Sequence, residues 1–226
     1  MAFRYSPKIV TDGLVLCLDA ANTKSFVSGS TTWSDLTKNL YNGDLVNGPV
    51  YVNSYGGSVN FDGLDDYCQY NIPYPYAMTV STFGLSNVST WNNYAGLGSA
   101  RRQNGYIIHN DLSTQNVNFY MLDQNASFIG LGGINSIEIT KVNYYTISTN
   151  GSNIHKIYLN GVLNGTSTTS ITRTNTPTTQ PGLLGRDDGN ARYNNLKIYN
   201  HTIYNRQLSD QEVLQNYNAL KNRFGL

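Results

Sequence analysis

The sequence predicts an all-β protein, a sandwich or barrel of antiparallel strands followed by one short C-terminal helix. Three observations carry this. Asn, Gly, Ser, Thr and Tyr are abundant, while Glu occurs only at 138 and 212 against twelve Asp. Those residues favour turns and strands rather than helix surfaces. Short apolar or alternating runs, each closed by Gly, Asn or Asp, recur at roughly the 8–12-residue spacing of sandwiches and barrels. A single run with helical spacing stands at the end of the chain.

GLVLCLDA, from Gly13 to Ala20, is the first element. Leu14, Leu16 and Leu18 point one way, and Val15 and Cys17 the other, so both faces of this strand are expected to be buried. A polar stretch follows, with Trp33 and Leu36 expected to anchor it inward. GDLVNGPVYV reads as strand, Asn47-Gly48-Pro49 turn, strand. GGSVNFDG and DYCQYNI continue the alternation across an acidic turn. The middle holds MTVSTFGL (78–85), GYIIHND (105–111), VNFYMLD (117–123), SFIGLGG (127–133) and YYTISTN (144–150). In HKIYLNGVLNG, Asn160-Gly161 is the preferred pair for a type I′ hairpin, where both central residues need positive φ. GLLGRDD and NLKIYNHTIYNR follow a Thr/Pro-rich connection (166–181). Ser209 and Glu212 form a capping box, and Val213, Tyr217 and Leu220 share one helical face. The helix is expected over 210–222, with Gly225 as its stop. The organisation is read as an N-terminal arm (1–12) and one domain (13–226).

Charged residues are 13% of the chain and the net charge is +1, which excludes the basic face of a nucleic-acid binder. No run of about 18 apolar residues is present, so no membrane span is expected. MAFRYSPKIV lacks the pattern of a secretory signal. Cys17 and Cys68 are therefore expected to be reduced and buried.

The order of GLVLCLDAAN, TTWSDLTKN, NGDLVNGPVY, GGSVNFDGLDDY, KIYLNG and IYNRQLSDQEVLQNYNALKNRFGL resembles the laminin-G-like jelly rolls of the concanavalin A-like lectin/glucanase superfamily. The likeness covers both ends and fades between about 85 and 140. It implies a two-sheet antiparallel jelly-roll sandwich. Its closing RFGL is similar to modules in structural proteins of tailed bacteriophages. That likeness implies a virion component assembled in the host cytoplasm, present as a homo-oligomer or in many copies and touching other capsid or tail proteins. His201 and Leu196 depart from the family pattern, so the closing strand is expected to be wetter or bulged. The resemblance also makes the FDG…DDY segment a strand–turn–strand corner.

Asp62, Asp65 and Asp66, with Asp187 and Asp188 at a second acidic turn, are the candidate calcium ligands. Calcium needs about 6–8 oxygens. The three clustered aspartates straddle a turn and are expected not to converge on one point, so turn structure is the preferred reading. The carboxylate pair of a glycosidase is missing at strand spacing, Glu212 is a capping residue, and Glu138 has no acid at the next inward position. His109, His155 and His201 lack metal or triad spacing, and no nucleophile elbow is present. No catalytic residue and no resident cofactor is assigned. For glycan contact the candidates are Trp91, Asn92, Asn93 and Tyr94 with Arg101, and Tyr74 with Tyr76, because rings stack on sugars while amides and guanidinium groups bond to hydroxyls. The expectation is a non-enzymatic virion surface protein, a capsid decoration or fibre-tip subunit binding host-surface glycans. A free-standing lectin is the first alternative and a glycoside hydrolase of the same fold the second.

Overall fold

The computed structural model describes residues 7–86, 95–111, 116–134, 140–176, 179–187 and 192–226. In chain order the strands are β1 (Leu14–Asp19), β2 (Thr32–Trp33), β3 (Gly43–Val46), β4 (Val50–Val52), β5 (Ser58–Asp62) and β6 (Tyr67–Pro73). Next come β7 (Met78–Ser86), β8 (Ala95–Ala100), β9 (Tyr106–Asp111), β10 (Asn116–Leu122), β11 (Phe128–Ile134) and β12 (Asn143–Thr149). The last are β13 (His155–Leu159), β14 (Val162–Ser167), β15 (Thr179–Leu184), β16 (Arg186–Asp187), β17 (Arg192–Tyr193) and β18 (Asn195–Tyr204). Two antiparallel sheets result. One runs β14-β13-β12-β7-β18-β5-β4, with β1 also paired to β18; the other runs β11-β10-β9-β8-β15-β6-β3-β2. The β16–β17 ribbon stands apart and packs on β8. This is the predicted jelly-roll sandwich.

Local chemistry explains the turns. Asn160 and Gly161 both have positive φ (51° and 80°) and join β13 to β14 as the type I′ signal requires. Asn47 and Gly48 also have positive φ (64° and 97°), but β3 and β4 lie in different sheets, so this turn carries the chain across the sandwich. The FDG…DDY segment does the same between β5 and β6 and is a corner. Cys17 and Cys68 are free and buried.

Alternation divides the apolar residues between two clusters. Leu16, Leu18, Phe61, Tyr70, Val80, Ile108, Phe119 and Ile147 are among those that fill the space between the sheets. Val10, Phe83, Tyr144, Tyr199 and Val213 pack on the outer face of the first sheet, beneath the C-terminal helix, with Leu14 at their edge. The two-faced burial expected for β1 follows from this, since one face meets each cluster. Trp33 is buried as expected, but Leu36 is exposed. Asp35 is the anchor there instead. Its carboxylate accepts from Cys17 N at 2.9 Å, Thr37 N at 3.0 Å and Tyr41 N at 3.0 Å.

The closing strand departs from expectation in one respect. β18 is bulged between Ile198 and Asn200, but it is not wetter: His201 and Leu196 are both fully buried. At the end of the sandwich Arg173 is buried without a carboxylate, donating to the carbonyls of Asn104 and Pro75. Burial holds its pKa down at about 9.

Helix α1 spans Asp210–Leu220, and a 3₁₀ turn, Lys221–Phe224, takes up the two residues expected as helix before Gly225 stops it at φ 69°. Both halves of the capping box are formed. Glu212 also pairs with Arg206 at 2.6 Å, which holds its carboxyl down at about 2. Ser209→Ala removes one acceptor for an orphan N–H and is expected to cost about 1 kcal/mol, read as a lower urea midpoint at unchanged m-value. Asn216, buried on the helix, accepts from Val10 N at 2.7 Å and donates to the Tyr204 hydroxyl at 3.0 Å. The chain before β1 is thereby held under the helix. Among the described residues no helix is long and apolar enough to cross a membrane.

Candidate functional site

The second sheet turns one face to the core and leaves the other uncovered by any helix. On β9, Tyr106 and Ile108 point inward, so Ile107 and His109 point out. On β10, Phe119 and Met121 are inward and Tyr120 is outward. On β11, Leu131 is inward and Phe128 outward. Gly130 pairs with Tyr120, and a Cβ at Gly132 would meet nothing within 4 Å. Two outward positions of β11 thus lack side chains beside an exposed ring. Arg101 at the end of β8 and Arg192 from the β16–β17 ribbon complete a cavity of about 240 Å³ lined also by Ile107, His109, Tyr120 and Phe128.

Its electrostatics are one-sided. The Arg101 guanidinium grips Asp187 through two N–H groups, and the Asp187 side chain is fully buried. The same guanidinium lies 4.9 Å from the Phe128 ring centroid, a cation–π contact. His109 and Tyr120 have ring centroids 5.2 Å apart. Asp187 and Arg192 are cross-strand partners in the ribbon. Phe128 is 48% exposed, which marks it as the ring a ligand meets first. No described residue lining the cavity is a carboxylate. An exposed ring, a phenol, an imidazole and guanidinium groups around an apolar floor can stack on a sugar ring and bond to its hydroxyls; they do not supply the two carboxyls of glycoside hydrolysis.

The residues proposed from sequence fall in different places. Arg101 is in the cavity. Tyr74 is not a ligand contact, because its ring is fully buried between the sheets, 6.1 Å from that of Tyr106. Tyr76 is half-buried, its ring laid over Gly151. Trp91, Asn92, Asn93, Tyr94 and Asp188 lie outside the described residues, as does Glu138. Asp62, Asp65 and Asp66 do converge, contrary to expectation: one oxygen from each lies within 4.8 Å of the others. The corner bends sharply enough to bring them together. Turn bonding still occupies two of them. Asp62 accepts from Leu64 N at 2.7 Å, and Asp66 accepts from Asp62 N at 3.1 Å. Burial, with Asp62 and Asp65 adding like charge, raises the Asp66 pKa. Asp187 does not join this group, because Arg101 holds it elsewhere.

Ile107, Tyr120, Phe128 and Arg192 were not singled out by sequence reasoning. The signal for Phe128 was present in SFIGLGG, where a phenylalanine is followed at two and four residues by glycine on the same strand face.

Fold and cavity together define a lectin-like β-sandwich. The chain belongs to the concanavalin A-like lectin/glucanases superfamily, whose laminin-G-type sequence profile matches residues 53–214. No curated protein matches the sequence. Among solved structures it is similar to the botulinum neurotoxin serotype D binding domain, with 16% identity and a TM-score of 0.69 over 91% of this chain and 51% of that one. The binding domain of Paraclostridial Mosquitocidal Protein 1 matches at 17% identity and TM-score 0.68, covering 91% and 52%. Trypanosoma rangeli sialidase matches at 17% and 0.68, covering 95% and 34%. The chain therefore spans about half the length of the toxin domains and about a third of the sialidase.

Proposed function

We propose that this chain is a non-enzymatic recognition domain that binds a host-surface glycan in the cavity on the outer face of its second sheet. The observation that carries this is the exposed Phe128 ring beside two glycine positions, flanked by Arg101, Tyr120 and His109. Support for a binding role over a catalytic one comes from the cavity lining, which offers no described carboxylate, and from Asp187, whose charge is committed to Arg101. The toxin domains that share the fold are named for binding. The setting we propose, a tailed-bacteriophage particle carrying many copies as a capsid decoration or fibre-tip subunit, rests on the sequence resemblance.

A glycan array probed with the full chain tests the reading. Phe128→Ala is expected to weaken the best binder by about 2 kcal/mol, roughly 30-fold, as truncation of a central ring does. The melting temperature should not change, since the ring is half in solvent. An array with no retained glycan, or binding indifferent to Phe128, would remove the proposal. Mass spectrometry of purified particles tests the setting separately: fixed high copy number is expected, and absence from particles leaves only the free lectin.

A further inference from the structure

The cavity does not end at Arg192. Its neighbour Tyr193 reaches the opposite side of the ribbon, where its ring lies 6.3 Å from that of Tyr67 on β6. Cys68 and Tyr70 of β6 face the core, so Tyr67 stands on the same outer face as the cavity. Arg186 packs into the corner of these two rings, with its guanidinium carbon 5.0 Å from the Tyr67 centroid and 5.4 Å from that of Tyr193. Among the described residues Arg186 has no carboxylate partner, and its Nε has no hydrogen-bond acceptor. A second guanidinium–aromatic group therefore stands across the narrow ribbon from the first.

Charge along this strip is unbalanced. Arg101, Arg192 and Arg186 face one fully buried carboxylate, that of Asp187. Asp44, paired with Gln69 across β3 and β6, is an exposed acid further along the same face. Guanidinium groups held against rings lose little freedom when they bind, and their planar N–H edges fit carboxylate and sulfate groups in a bidentate manner. A neutral sugar would leave such donors to hydroxyls alone.

Building on the reading of the cavity as a saccharide site, we infer that the ligand is an anionic oligosaccharide, bearing carboxylate or sulfate groups, that spans the ribbon. Phe128 and Tyr120 take one sugar ring, and Arg186 between Tyr67 and Tyr193 takes an acidic group of a neighbouring unit.

The test uses acidic glycans alongside the same glycans after carboxyl reduction or desulfation, with affinities measured by calorimetry on the full chain. The best binder is expected to be acidic, to lose affinity when its charge is removed, and to bind more weakly as sodium chloride is raised. Arg186→Gln is expected to lower its affinity roughly tenfold, the loss of one charge-assisted contact, with Arg186→Lys intermediate because it keeps charge without the planar fork. Melting temperatures of both variants identify any unfolding, and the salt and neutralisation results need no variant. If the best binder is neutral and Arg186→Gln leaves its affinity unchanged while Phe128→Ala abolishes it, the inference falls and the saccharide site stands. If no glycan binds, both fall.

Discussion

Lowering the pH from 7 towards 4 is expected to destabilise this protein steadily, with His201 responsible for much of the loss above pH 4.5. His201 lies between the sheets, fully buried. Its Nδ1 is 2.9 Å from the Thr82 hydroxyl. Its Nε2 is 3.0 Å from the Tyr70 hydroxyl and 3.3 Å from that of Tyr106, and those two hydroxyls are 2.7 Å apart. All three partners are neutral, so nothing there favours an imidazolium, and burial holds the pKa down at about 3. In the unfolded chain the ring takes its proton near 6.5. Between those values the unfolded state binds more protons than the folded state, so stability falls as pH falls, by about 1.4 kcal/mol per pH unit for one group. His155, also held low by burial, adds to the same slope. Below about pH 4.5, Glu212 and Asp210 join in the same direction, because Arg206 and Lys156 depress their pKa values. His201→Gln keeps hydrogen-bonding capacity and cannot titrate. Urea unfolding of both proteins at pH 7, 6, 5 and 4 should show a flatter profile for the variant, despite lower stability at pH 7. Parallel profiles would mean that the buried ring is not what senses acid.

Gly182→Ala is expected to cost about 3 kcal/mol or more, at the upper end for overpacking a core. Gly182 stands opposite Tyr70 in the β15–β6 ladder. A Cβ there would come within 2.5 Å of two Tyr70 ring atoms and closer still to the Tyr74 hydroxyl. Both rings are fully buried, and Tyr70 is tied to His201 and Tyr106, so neither can swing aside. The missing side chain is what lets two tyrosines lie flat on the sheet. In a chain of this size the loss corresponds to a fall of about 10 °C in melting temperature. Gly130→Ala is the matched control on the outer face of the same sheet, where the new carbon would meet Tyr120 at an ordinary 3.6 Å. It should cost under about 1 kcal/mol. Equal melting temperatures for the two variants would show that the core yields where the geometry says it cannot.

Much of the fold was legible because its signals are local. Asn160-Gly161, the Ser209–Glu212 capping box and the alternation in MTVSTFGL each depend on a few neighbouring residues. The strand missed outright is β8, Ala95–Ala100, whose AGLGSA is small and weakly β-favouring. Its strand state comes from pairing with β9 and β15 on either side. Leu36 and Asp35 show the same boundary at smaller scale. Hydropathy favours Leu36 for the interior, yet the four hydrogen bonds that Asp35 accepts from Cys17, Thr37 and Tyr41 draw the acid in.

The chain's own chemistry determined that there would be sheets, where they would turn, that a capped helix would end them, and that a lectin-like sandwich would result. Which face of each strand became core was decided only by tertiary packing. A period of two sorts side chains into two sets without saying which set meets the other sheet. Tyr74 went inside and Phe128 outside for that reason. The cavity, drawn from β8, β9, β10, β11 and a ribbon distant in sequence, existed only once those strands were laid edge to edge.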